Sequence, residues 1–362
     1  MIRPPAESPG YQVGLAGAST LLGQEILRVL HDRAFPVRQL FKFETETEEP
    51  DLPVLDLSGQ VGFEPNVMDE EPESLDVLFL AARPHSKSGE SDLLGKALAA
   101  AGATAMSPGQ ASCVVIDSSN ALAEVPGRRL SIPSCPKAPS AASENNLATV
   151  LVSPHPATIV LSRILLSLAA RYAVKDCVAQ IFLPASELGP RGIEELQKQA
   201  VSLLSFQKPP QKVFGAQMAF NLLARLPGKH AAEITVSESA IRREVRECLS
   251  GSLPLPALCF SHAAVFYSLA FSIFVELGEK PAKDDVTAAL SGSGMTVRRR
   301  SEAAPNQVDA AGSAEILLDA ITSDPDRLGG FWIWAAVDNI RLAAENAVDI
   351  AEHSLSARQR KQ

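Results

Sequence analysis

The patterned part of this chain opens with a strand, a tight turn of small residues and an amphipathic helix. That order constrains the fold more than any other feature. Gln12–Ala16 is a short apolar run, Gly17-Ala18-Ser19-Thr20 follows, and Leu21, Leu22, Ile26, Leu27 and Leu30 then recur at helical spacing. A strand that feeds a helix through a glycine turn is how a βαβ unit of the dinucleotide-binding type begins. The next runs fit the same plan. Arg38–Phe43 reads as a second strand, while Leu75–Ala81 and Cys113–Asp117 are largely apolar, the pattern of parallel strands covered on both faces. Ser91–Ala101 fits a helix between them, stopped by Gly102. The stretch from Phe43 to Pro50 is a charged loop in which no single carboxylate stands out as a ribose anchor.

A length of 362 residues makes two domains the natural expectation, and 46% hydrophobic residues suffice for their cores. A net charge of −9 argues against a nucleic-acid partner, because phosphate binding needs a basic face. No apolar run reaches the roughly 18 residues a membrane helix requires. The longest candidate, Ala263–Leu277, is interrupted by Tyr267, Ser268 and Ser272. Met1–Tyr11 carries Pro and Glu and lacks an apolar signal core, so the expected location is the cytoplasm, with no membrane association. Cys113, Cys135, Cys177, Cys248 and Cys259 are scattered without a C-x-x-C pair and read as buried thiols; no metal site is expected.

Pro126–Ala142, rich in Pro, Ser and Ala, reads as a connector. Beyond it the pattern predicts a helix over Thr158–Ala173, a strand over Val178–Leu183 and a helix over Gly192–Ser205. Leu255–Glu276 holds one or two long strands. A helix over Lys283–Ser291, a strand over Met295–Arg300, a loop over Ala303–Ser313, a last strand over Phe331–Trp334 and a helix over Asp338–His353 complete the reading.

Several runs taken together, in order and separation, carry a family resemblance. They are Gly17–Leu30 with Phe35-Pro36-Val37, Val114–Ser119, Gly189–Leu196, Ala219-Phe220-Asn221-Leu222, Phe274–Leu277 and Val337–Arg341. On these residues, over nearly its whole length, the chain resembles aspartate-semialdehyde dehydrogenase. The resemblance implies an α/β fold with a Rossmann-type domain at 10–150 plus 337–356 and an α+β dimerisation domain at 151–336. It also implies a homodimer, and NADP-dependent chemistry that links aspartyl phosphate to aspartate semialdehyde. The apolar stretch Leu258–Phe274, with Phe266, Tyr267 and Phe271, is a candidate dimer face, and equally readable as a buried strand within the domain.

The reacting groups depart from that pattern. The family sets its thiolate in an Asn-Pro-x-Cys-x-Thr turn ahead of a long helix. Here Ser153, Pro154, His155, Pro156 and Thr158 fill the turn, and Pro156 stands at the cysteine position. Proline suits a first helical turn. His155 reads as a residue at the helix start and Ser153 as a helix cap. The family's acid–base histidine closes an Arg-Val-Pro-Val-Phe-x-Gly-His strand. Against His262–Leu269 this puts His262 at the arginine and Leu269 at the histidine. A slipped register would put His262 at the histidine, but Phe274–Leu277 fixes the first alignment. Ala123 occupies the phosphate arginine's place, and Arg128 and Arg129 read as solvated loop residues. Glu244 matches an acidic position that contacts substrate in the family and is equally readable as a helix-surface charge. The cofactor loop is Gly17, Ala18, Ser19, Thr20, Leu21, Leu22, Gly23, with Thr20 at the central glycine of Gly-x-x-Gly-x-x-Gly. Glu44, Glu46, Glu48 and Glu49 would repel the 2′-phosphate of NADP, which leaves NAD, or no cofactor, open.

The joint loss of nucleophile, acid–base group, carboxylate clamp and phosphate arginine points to a family member without dehydrogenase activity, acting as a dimeric scaffold or regulator. An association with an active relative is one form this could take. The alternatives are an active NADP-dependent enzyme, with Cys135 as the first thiol to test, and a nucleotide or metabolite sensor.

Overall fold

The computed structural model describes residues 10–43, 54–55, 61–62, 75–82, 113–135, 150–227, 231–249, 251 and 253–359. The expected helix Ser91–Ala101 and the acidic loop around Glu44–Glu49 lie outside these residues. The chain divides into two compact units: Met1–Pro133, Ser143–Ser153 and Ala344–Gln362 form one, Ser134–Ala142 and Pro154–Ala343 the other.

The first unit is built on a parallel sheet of β1 (Tyr11–Ala16), β2 (Val37–Phe43), β5 (Val77–Leu80), β6 (Val114–Asp117), β7 (Arg129–Leu130) and β8 (Val150–Val152), in the order β2-β1-β5-β6-β8-β7. Two short strands, β3 (Val54–Leu55) and β4 (Val61–Gly62), pair separately. Side chains alternate across a strand. Val77 and Phe79 therefore join one core with Val13, Leu15 and Ile116, and Leu78 and Leu80 join the opposite core with Val115 and Val150. The first core is closed by α1 (Leu21–Asp32), which contributes Ile26, Leu27 and Leu30, and by Ala344, Ala347, Val348 and Ala351 of the C-terminal helix α7 (Asn339–Gln359). Arg33, just past α1, meets Glu345, Asp349 and Glu352 on one face of α7. The region expected as a bare connector, Pro126–Ala142, contains the edge strand β7. Two residues are too short to leave a periodic signal, and pairing with Leu151 and Val152 defines the strand.

The second unit is a mixed sheet in the order β10-β11-β9-β12-β16-β14-β13, with β15 paired to β16. Its strands are β9 (Val174–Leu183), β10 (Leu222–Leu223), β11 (Ala257–Ala263), β12 (Leu269–Leu277), β13 (Met295–Val297), β14 (Ile316–Leu318), β15 (Thr322–Ser323) and β16 (Gly330–Val337). The helices are α2 (Pro156–Ala169), α3 (Gly189–Leu204), α4 (Ala231–Leu249), α5 (Lys283–Leu290) and α6 (Gln307–Ala310). The run Leu255–Glu276 proves to be two strands that do not pair with each other. Both flank β9, β11 in parallel and β12 antiparallel. Helix α2 starts two residues earlier than the periodicity suggests and ends at Ala169, and α4 fills a stretch without an assigned element.

One face of this sheet is buried and the other is half open. Cys177, Ala179, Ile181 and Leu183 of β9 point inward, whereas Val178, Gln180 and Phe182 do not. Register aligns Val178 with Phe274, and Phe274 with Trp332, across the open face; Gln180, Ser272 and Trp334 form the next row. Phe271, expected on a dimer face, is fully buried on the inner side. Phe266 and Tyr267 are exposed, in the link between β11 and β12. Strand alternation places Phe271 and Phe274 on opposite faces, a distinction hydropathy alone does not make.

Candidate functional site

Within the second unit, the residues singled out by the family pattern gather around the start of α2. Pro156 is the first helical residue, where its missing N–H costs nothing. Ser153, expected as a cap, is instead a buried residue of the first unit that accepts a hydrogen bond from Asn346 Nδ2 at 2.8 Å. The cap is His155. Its Nδ1 accepts from Ala157 N–H at 3.1 Å, and its carbonyl accepts from Thr158 and Ile159. The N–H groups of this first turn are therefore all engaged within the chain.

His155 does more than start the helix. Its Nε2 lies 3.0 Å from Glu187 Oε2, in the 3-10 turn Ala185–Leu188. With Nδ1 accepting a backbone N–H, the hydrogen sits on Nε2 and is donated to the carboxylate. Burial pushes Glu187 up, but the His155 charge and hydrogen bond, with the Asn339 amide, outweigh it and hold the carboxyl below its ordinary value. Burial likewise depresses His155, and Glu187 more than compensates, so the imidazole ends above its ordinary value. Glu187 was missed in the sequence. Its one signal is a carboxylate inside the run Ile181–Leu188, which is apolar but for Ser186 beside it.

Glu244 is no surface charge. It is 4% exposed, and its Oε2 accepts from His155 N–H and Thr158 Oγ1, both at 2.9 Å. Burial raises its pKa beyond what His155, Thr158 and Arg243 offset. His262 is 2% exposed on β11. Burial lowers its pKa against the pull of Glu187, so it stays neutral near pH 7. Leu269, at the acid–base position, is fully buried at the start of β12, opposite Val337. Ser268 before it keeps a left-handed φ of +73°, where the family motif carries glycine. Its N–H donates to Asn339 Oδ1 at 3.1 Å and its hydroxyl to the Gln307 carbonyl at 3.1 Å. Asn339 also donates to Ser186 Oγ and Glu187 Oε1, tying the motif to the 3-10 turn. The left-handed turn ahead of β12 is thus held by two hydrogen bonds of Ser268.

The thiols of Cys135 and Cys248 are not activated. Burial pushes Cys135 up to about 12, with Arg163 opposing, and Cys248 is likewise raised to about 12. A thiol so placed carries almost no thiolate at neutral pH. Cys135, Cys248 and Cys259 are not fully buried, contrary to the expectation for all five; Cys259 is exposed. Among the described residues, no three His, Cys, Asp or Glu side chains form a group that could hold a metal ion, and no helix is long and apolar enough to cross a membrane.

In the first unit, Gly17 has a φ of +82°, and its carbonyl accepts from both the N–H and the hydroxyl of Thr20. Thr20 caps α1, its Oγ1 accepting from Gly23 N–H at 3.0 Å. Ala18 is buried, Ser19 and Leu21 are partly so, and Leu21 opens the helix. Gly23 is required by close packing, since a Cβ there would stand 2.1 Å from the Gly17 carbonyl. The side chain of Thr20 thus takes one of the N–H groups at the start of the helix. Asp117 is turned inward in the same way. Its carboxylate accepts from Ser119 N–H and Oγ and from Leu122 N–H, while Ala123 is buried and its carbonyl accepts from Arg128 Nε. Arg128 is thus tied to the turn rather than free in a loop.

Residues 168–342 match the family described as semialdehyde dehydrogenase, dimerisation domain. The chain is 27% identical over 352 residues to aspartate-semialdehyde dehydrogenase of Prochlorococcus marinus, covering 94% of each. It is 25% identical over 363 residues to a USG-1 protein homolog of Azotobacter vinelandii, covering 95% of this chain and 98% of the other. Its fold matches the crystal structure of aspartate semialdehyde dehydrogenase II from Vibrio cholerae complexed with ASA. That match has a TM-score of 0.77 at 24% identity and covers 95% and 98% of the two chains. Residues 168–342 thus match the semialdehyde dehydrogenase dimerisation-domain family, and the chain as a whole is similar in sequence and fold to aspartate-semialdehyde dehydrogenases.

Proposed function

We propose that this chain is a non-catalytic member of its family that works as a dimeric scaffold or regulatory subunit. The observation that carries the reading is the start of α2: a proline at the nucleophile position, with the helix N–H groups engaged by His155. Without a sulfur atom there, no thioester forms and a bound hydride donor has no acyl group to reduce. Leu269 removes the proton carrier as well. Loss of the attacking group alone lowers turnover in nucleophilic enzymes by on the order of a millionfold, and a second loss adds less because the two act as a unit.

NADP or NAD binding is not needed for this role, and the capping by Thr20 favours weak binding or none. The partner that best fits is a second copy of the chain, docked on the open sheet face carrying Val178, Phe182, Trp332 and Trp334; the dimerisation-domain match supports this. The competing reading, an active NADP-dependent dehydrogenase, draws on the relatives' names.

Incubating the purified chain with aspartate semialdehyde, NADP and phosphate distinguishes the two. Absorbance at the reduced-nicotinamide band is expected to stay flat, and intact mass to show no acyl adduct. Turnover that a thiol reagent abolishes would overturn the proposal.

A further inference from the structure

Helix α3 ends on an aromatic residue that the fold does not use. Phe206 follows the helix with a left-handed φ of +56°. Its N–H donates to the Leu203 carbonyl at 3.1 Å, and the Gln207 N–H donates to the Ser202 carbonyl at 2.8 Å. This pair of bonds is a helix stop that favours glycine, because a Cβ is strained there. Phe206 brings a Cβ and a ring, and it is 100% exposed, so no packing offsets the strain. Val201 and Leu204, in the last turn of α3, are 59% and 72% exposed.

The segment that carries these side chains is basic. From Gly189 to Pro227 the acidic residues are Glu194 and Glu195, against Arg191, Lys198, Lys208, Lys212 and Arg225, in a chain of net charge −9. Glu195 is turned inward onto three backbone N–H groups, and Glu194 pairs with Lys198. Lys208 and Lys212, in the loop after Phe206, are exposed. That loop is held to the helix, since Gln199 binds the Pro210 carbonyl and Glu195 the Lys212 N–H. A fully exposed ring needs its apolar surroundings from a partner. An anionic bilayer supplies them without shape complementarity and attracts lysines to its surface. A second copy of this helix end would bring lysine against lysine and be repelled.

We propose that the end of α3, with Phe206 as its apolar tip and Lys208 and Lys212 as its charges, docks this protein on an anionic lipid surface. The expectation of no membrane association rests on the lack of a spanning run and of a signal core, and a surface contact needs neither. The contact requires neither catalysis nor pairing of chains, so its failure would leave the inactive reading untouched.

The test sediments the whole chain with vesicles of phosphatidylcholine alone or mixed with phosphatidylglycerol, at low and at physiological salt. Saturable binding to the anionic vesicles is expected, at least about tenfold stronger than to phosphatidylcholine and weakened by salt. Lys208→Glu with Lys212→Glu should weaken it at least about tenfold. Phe206→Gly should also weaken it about tenfold, the worth of one buried aromatic side chain, while the melting temperature rises because glycine relieves the strain. No binding to the anionic vesicles, the result if the helix end meets an acidic protein surface instead, would overturn the proposal. So would equal binding to both vesicles, unchanged binding by Phe206→Gly, or a fall in its melting temperature, which would make the ring structural.

Discussion

His155 and His262 lie within reach of one carboxylate, Glu187, yet titrate in opposite directions. The folded pKa of His155 is raised, so its contribution is full below the ordinary 6.5 and is lost as pH climbs through the raised value. That of His262 is lowered, so below 6.5 the unfolded chain takes up a proton the folded chain refuses, and stability falls. Calorimetric melting temperatures between pH 7 and pH 5 check this. His262→Gln should flatten the loss on acidification, and His155→Gln should steepen it. At Thr20, substitution by Gly removes a cap at a cost of a few tenths of a kcal/mol and frees the Gly23 N–H. NADP affinity by isothermal titration should then rise about tenfold, the worth of one charge-assisted hydrogen bond.

Helix α3 carries a run of the family pattern whose buried polar side chains hold the following loop. Glu195 and Gln199 are buried one turn apart. Glu195 accepts from the N–H groups of Lys212, Val213 and Phe214, at 2.7, 2.8 and 2.9 Å. Gln199 accepts from Met218 and Ala219 and donates to the Pro210 and Ala216 carbonyls. Two side chains thus satisfy the backbone of the loop after the helix, which explains why Gly189–Leu196 and Ala219–Leu222 belong together. Glu195→Ala would leave three N–H groups unmet and should cost about 3 kcal/mol or more in urea denaturation. Close approach requires a glycine in the first turn of both α1 and α3. A Cβ at Gly23 would stand 2.1 Å from Gly17 O, and one at Gly192 2.2 Å from Ala185 O. Gly23→Ala and Gly192→Ala should each cost about 2–3 kcal/mol by the same assay.

At the scale of the whole molecule the open sheet face is the feature to test. Val178 is 44% exposed in the middle of that face. A charge there should leave each chain folded and disrupt pairing. Val178→Glu is therefore expected to shift the sedimentation coefficient to that of a monomer, with the far-ultraviolet circular dichroism unchanged. A dimer that survives the change would place the interface elsewhere.

The strand–turn–helix opening, the apolar strands of the parallel sheet and the helices read at Leu21, Gly192 and Lys283 were legible in the chain, the second of them starting three residues earlier at Gly189, because each rests on local periodicity or on a turn that only certain residues make. The absence of a thiol at Pro156 was equally legible, since it concerns composition at one position. Tertiary structure decided the rest. Glu187, the burial of Glu244, the inward turn of Phe271 and the pairing of β9 between β11 and β12 depend on contacts between residues tens of positions apart. The energy of a buried carboxylate or an aromatic ring is set by its neighbours in space, which sequence spacing does not specify.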